Sequence, residues 1–99
     1  EVTFDELERQ VFALARQTVI MPVVEIRLAT AIAGLPNASE RVPVLVGWMA
    51  HENLHVRRVA LGAVRRLGAW EHQPLLPALL RCLADESGWV RHDAAWALE

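Results

Sequence analysis

Three groups of side chains in this sequence have the types and spacing to do chemistry. His51-Glu52-Asn53-Leu54-His55 spells H-E-x-x-H. In that string, two histidines one helical turn apart hold zinc, and the glutamate activates the metal-bound water. His92-Asp93 sets an imidazole beside a carboxylate. The third group is arginine-rich. Arg58 and Arg65, seven residues apart, share one face of a helix, with Gly62 between them and Arg57 and Arg66 alongside. Such a row, with a gap at Gly62 and an aromatic on a neighbouring helix, suits a phosphate backbone and a flat group to stack.

The chain that must position these residues has 99 residues, 54% of them apolar and 22% charged. It is one small domain, neither a disordered tail nor a membrane span. All ten basic residues are arginine, and twelve acids bring the net charge to −2, so bulk charge does not draw nucleic acid. The charge is unevenly placed: residues 1–40 carry −3, residues 41–81 carry +4 and residues 82–99 carry −3. The middle third is a basic island. The single cysteine, Cys82, excludes an internal disulfide framework and is expected to be a small buried filler. With no charged-then-apolar leader and no long apolar run, the expectation is a cytoplasmic chain without a membrane partner. The apolar pattern Ala94-Ala95-Trp96-Ala97-Leu98 at its end reads as part of a longer array.

Apolar periodicity is helical throughout. Thr3-x-x-Glu6 is a capping box, followed by Phe4, Leu7, Val11, Leu14 and Thr18 at helical spacing. Pro22 opens a second helix to about Ala33, and Gly34-Leu35-Pro36-Asn37 ends it. Ser39 is expected to cap a third helix carrying Val42, Leu45, Val46 and Met49 on its inner face. A fourth runs from about Leu54 to Leu67, Pro74 opens a fifth, and Ser87 caps a sixth. Shifting the chain by 34 residues aligns Pro43 with Pro77, Leu45 with Leu79, Val56-Arg57 with Val90-Arg91, Ala60 with Ala94 and Ala63 with Ala97. The same shift carries the arginine stripe onto His92 and Trp96, and aligns Cys82 with Trp48. A helix–turn–helix unit repeated near this length is an α-solenoid, whose units stack because none buries its apolar face alone. The fold expected is all-α: about three antiparallel helix pairs, in units of about 1–37, 38–70 and 71–99. Asn53 falls at a helix cap, so His51 and His55 straddle a turn, and a metal site is not expected. Arg57 and Arg91 are expected to be tied to loop acids such as Glu52 and Asp85, and Trp89 to be a core plug. Arg58, Arg65 and Arg66 have few acids near them in sequence.

Leu79-Leu80-Arg81-Cys82-Leu83-Ala84-Asp85, followed by Val90-Arg91 and Ala94-Ala95, resembles a HEAT repeat. The first unit matches with shortened spacing, Ile26-Arg27 taking the Val-Arg place. His92-Asp93 resembles the paired His-Glu motifs of deoxyhypusine hydroxylase, a HEAT-repeat di-iron enzyme, but the matching positions one unit earlier are Arg58-Val59. A narrower pattern, Trp48-Met49-Ala50-x-x-Asn53-x-x-Val56-Arg57-Arg58-x-Ala60, then Asp85-x-x-x-Trp89-Val90 and Trp96-x-Leu98, resembles the HEAT-like alkylpurine DNA glycosylases of the alkylation-repair family. Arg58-x-Ala60 and Trp96-x-Leu98 look like the AlkD branch; His55-Val56-Arg57-Arg58, with Arg65 and Trp70, looks like the AlkC branch. The resemblance implies duplex DNA held on a concave solenoid face, with no metal or dissolved cofactor. It carries Arg58 over as the DNA-facing position, with Arg65 and Trp96 behind it. No Trp-Asp pair stands in residues 18–35, and Gly62-Ala63 replaces the Glu-Gly pair of the AlkC branch, so no catalytic residue carries over.

The expectation is therefore a HEAT-like binding module without a complete catalytic site, with Arg58, Arg65, Arg66, His92 and Trp96 as its nucleic-acid-binding residues. Its partner is the duplex DNA backbone or, on the alternative reading, an acidic protein held by an interaction scaffold. Self-association through open solenoid ends is a further expectation.

Overall fold

A computed structural model describes residues 2–17, 21–68 and 75–99. Thr18, Trp70 and Pro74 lie outside these residues. Among the described residues the secondary structure is entirely helical. The helices are α1 (Phe4–Leu14), α2 (Pro22–Ala33), a 3-10 turn (Ala38–Arg41), α3 (Val42–Trp48), α4 (Leu54–Arg66), α5 (Leu75–Cys82) and α6 (Gly88–Ala97). They form successive pairs in two layers. Helices α2, α4 and α6 lie side by side, and α1, α3 and α5 pack against them from behind.

Local chemistry accounts for most of the ends. Thr3 Oγ1 accepts the Glu6 N–H at 3.3 Å, which starts α1 and puts Phe4, Leu7, Val11 and Leu14 into the core. Pro22 stands in the first turn of α2, where its missing N–H would have no helical partner anyway. Asn53 Oδ1 accepts the N–H groups of His55 and Val56 at 2.9 and 3.3 Å to open α4. Gly68, at φ 75°, follows the end of that helix in the left-handed conformation that favours glycine. Two caps differ from expectation. Ser39 sits inside the 3-10 turn, and α3 starts at Val42 with no side-chain cap. Ser87 holds the cap position of α6 without a side-chain bond; its own N–H donates to Asp85 Oδ1 at 2.9 Å instead.

The internal register survives into three dimensions. Helices α4 and α6 begin at Leu54 and Gly88, and α3 and α5 end at Trp48 and Cys82, each pair 34 residues apart. Leu45 and Leu79, Val56 and Val90, Ala60 and Ala94, and Ala63 and Ala97 are all buried. Cys82 is buried as expected, its Sγ donating to the Met49 carbonyl at 3.6 Å. The counterpart position holds Trp48, stacked on Phe4 with ring centroids 5.6 Å apart. The register of the first unit needs correcting. Ile26 is 53% exposed and does not take the place of Val56. The buried residues of α2 are Glu25, Leu28, Ala29 and Ile32, spaced like Val56, Val59, Ala60 and Ala63. A glutamate therefore stands where the other units bury valine.

Comparison of the last two units also identifies an uncovered face. Val42, Met49 and Leu61 are buried, whereas their counterparts Leu76, Leu83 and Ala95 are exposed. Leu80 is exposed on the same stripe of α5.

Candidate functional site

The inner layer carries a recess of about 150 Å³ bounded by three helices. Pro22, Glu25, Ile26 and Ala29 come from α2; Arg58, Leu61, Gly62, Arg65 and Arg66 from α4; Asp93 and Trp96 from α6. Four of the five residues expected to bind meet here. His92 does not line the recess; it is exposed beside it, its ring centroid 6.0 Å from that of Trp96.

Arg58 departs most from expectation. Its Nε donates to Asp93 Oδ2 at 2.7 Å and its NH1 to Glu25 Oε1 at 3.2 Å. Burial disfavours the charged guanidinium, but Asp93, by hydrogen bond and charge, and Glu25 outweigh it and hold Arg58 above its ordinary pKa. It is thus paired with a carboxylate from each flanking helix. Glu25 is only 5% exposed, and its second oxygen, Oε2, lies 2.8 Å from His55 Nδ1. A buried carboxylate needs such partners to stay charged. One helix turn of α4 thus supplies a histidine and an arginine to the same glutamate.

Arg65 is arranged differently. Its guanidinium carbon lies 3.6 Å from the ring centroid of Trp96, a close cation–π stack. Among the described residues neither Arg65 nor Arg66 has a carboxylate within ion-pair distance. Arg66 is exposed and donates to the Gly62 carbonyl at 2.9 Å. The gap expected at Gly62 is filled by the neighbouring helix. A Cβ there would sit 2.8 Å from the Ala29 Cβ, so the glycine lets α2 approach α4.

Trp89 is not a core plug. It is 65% exposed, with Arg58 5.2 Å from its ring centroid, because its helical position faces the inner surface. Trp96 is 48% exposed.

The other groups singled out for chemistry have structural occupations. His51, in the turn before α4, accepts the Asn53 N–H at Nδ1 (2.9 Å) and stacks on Phe12. His55 is in α4 and faces Glu25, so the two imidazoles do not share one helix face. Among the described residues no group of three or more His, Cys, Asp or Glu side chains is placed to hold a metal. Asp93 serves Arg58. Arg57 reaches the next unit, pairing Nε and NH2 with the two oxygens of Asp85 at 3.0 and 3.2 Å, while NH1 donates to the His51 and Glu52 carbonyls. Arg91 donates to the Asp85 carbonyl at 2.7 Å. Both Val-Arg arginines are thus tied to turns, though Glu52 contributes its backbone rather than its carboxylate.

The residues missed from sequence are Glu25 and the apolar lining Ile26, Ala29 and Leu61, while Asp93, noted beside His92, pairs instead with Arg58. Glu25 left a signal: it falls on the buried period of α2, at i relative to Leu28, Ala29 and Ile32.

Stacked helix pairs in two layers, a 34-residue register and a recess on the inner layer together define a helical-repeat α-solenoid. A family model for HEAT repeats matches residues 21–99, about four-fifths of the chain. The chain belongs to the HEAT-repeat family. Comparison with curated proteins and with solved structures gave no match. No helix among the described residues is long and apolar enough to cross a membrane.

Proposed function

We propose that this chain is a protein-interaction module whose contact surface is the inner face of α2, α4 and α6. The carrying observation is the composition of that face. Ile26, Trp89 and Trp96 are exposed around an open recess, while the cation that would anchor a phosphate backbone, Arg58, is engaged by Glu25 and Asp93. Exposed aromatics beside a partly apolar recess are the usual anchors of protein contacts. A DNA-binding surface instead needs several uncompensated cations in a row.

A nucleic-acid-binding relative of the alkylation-repair glycosylases is the second reading. Arg65 and Arg66, without carboxylate partners, and the accessible Trp96 ring favour it. One experiment separates the two. Peptides selected from a random display library on the immobilised domain are titrated against wild type and Trp96→Ala, with a short DNA duplex titrated in parallel across a salt series. The protein-binding reading expects peptides that lose about tenfold or more in affinity on Trp96→Ala. It fails if the duplex binds with a steep salt dependence that Arg65→Ala/Arg66→Ala makes shallower, and no peptide depends on Trp96.

A further inference from the structure

We infer that the recess receives an apolar side chain of a partner peptide, and that a carboxylate next to that side chain in the peptide docks on Arg65; this rests on the protein-interaction reading above. The recess, about 150 Å³, is walled by Ile26, Ala29, Leu61 and the Trp96 ring. Apolar space of this size admits a group as large as benzene. Its charged border is unbalanced. The two acids at the border, Glu25 and Asp93, are both bonded to Arg58, and Glu25 to His55 as well. Among the described residues neither acid of the recess is therefore left for Arg65, and Glu99, which lines an adjoining cleft with Arg65 and Trp96, is not within ion-pair distance of it.

The geometry of Arg65 fits an incoming carboxylate. The contact with Trp96, 3.6 Å from the guanidinium carbon to the ring centroid, restrains the side chain, and a guanidinium carries its N–H donors in its own plane, clear of the face that meets a ring. A carboxylate binds in that plane with two parallel hydrogen bonds. A phosphodiester offers charge as well, but it brings a sugar and not an apolar side chain to fill the adjoining space. The peptide is the better match to the recess as a whole.

The test uses the intact domain and three short peptides that differ at two adjacent positions: Phe-Asp, Phe-Lys and Ala-Asp. A short DNA duplex supplies phosphate without an apolar anchor. Binding is followed by NMR at the Trp96 indole N–H and the Arg65 Nε–H. The Phe-Asp peptide is expected to move both signals and to bind about tenfold tighter than either of the others, as a charge-assisted hydrogen bond and a buried ring each imply. Arg65→Gln is expected to erase the Asp-over-Lys preference, and Arg65→Lys, which keeps charge but not the fork, to retain part of it. Equal binding of Phe-Asp and Phe-Lys, with Trp96 still perturbed, would overturn the carboxylate assignment and leave the interaction reading standing. Perturbation of these signals by the duplex alone would overturn both.

Discussion

Arg58 joins two carboxylates from the helices on either side of its own, so its removal takes the arginine from Asp93 and leaves Glu25 with His55 alone. Arg58→Ala is expected to lower unfolding free energy by about 2–3 kcal/mol, near the bottom of the range for a broken buried pair because the guanidinium keeps some solvent contact. Chemical denaturation measures it, and a loss below about 0.5 kcal/mol would mean that the cluster contributes no stability. Cys82 gives a pH-dependent case. Burial, helped by Asp85 and opposed by Arg57 and Arg81, pushes its thiol up from the ordinary value. A raised folded-state pKa means that the native protein holds the proton more tightly. The resulting stability is complete below the unfolded thiol pKa, about 8.5, and is lost as pH rises through the folded value. Thermal melts at rising alkaline pH are expected to fall more steeply for wild type than for Cys82→Ala. At this scale the sequence was only partly legible. Arg57 and Arg91 follow from their place before a turn, and Cys82 from its alignment with Trp48. The partners of Arg58 lie 33 and 35 residues away, so no local scan for acids finds them.

Helix α4 packs closest to α2 where Gly62 meets Ala29. Gly62→Ala gains about 1 kcal/mol of helix propensity but drives a Cβ into the Ala29 methyl group. The two rigid groups cannot both stay in place, so the net expectation is destabilisation of about 1–2 kcal/mol. Ala29→Gly in the same chain should relieve the contact, and a double-mutant cycle showing no coupling would rule it out as the cause. The helices themselves were readable because each carries its own local instructions: Thr3 and Asn53 as caps, Pro22 as a first-turn residue, and Gly68 as a stop. Two readings failed for physical reasons. Ser39 has the side chain of a cap, but the chain passes through a 3-10 turn first. Ile26 has the chemical likeness to valine, but Glu25, paired with Arg58, is the residue that α2 buries. The recess takes both Glu25 and Ile26 from that one helix, the first as part of its acidic border and the second as part of its apolar wall.

Across the whole molecule, the last described pair exposes apolar residues whose counterparts in the preceding unit are buried. Leu76 and Leu80 on α5 and Leu83 just after it follow at helical spacing, all exposed. Leu80→Glu is expected to change unfolding free energy by less than about 0.5 kcal/mol, as an exposed substitution should. Sedimentation at increasing concentration is expected to show association in wild type and a monomer in the variant; association unchanged by Leu80→Glu would place it on another surface. The architecture was legible because a repeat announces itself twice, and Leu45 and Leu79 or Ala60 and Ala94 need only match each other. Contacts that join different units carry no such echo. Glu25, Arg58 and Asp93 belong to three successive helix pairs, and Arg58 is the one side chain that joins the two acids. Their histories are therefore bound together: among descendants of this chain, a change at any one of the three should travel with changes at the other two, while Arg65 and Arg66 are free to drift with whatever the inner face has come to hold.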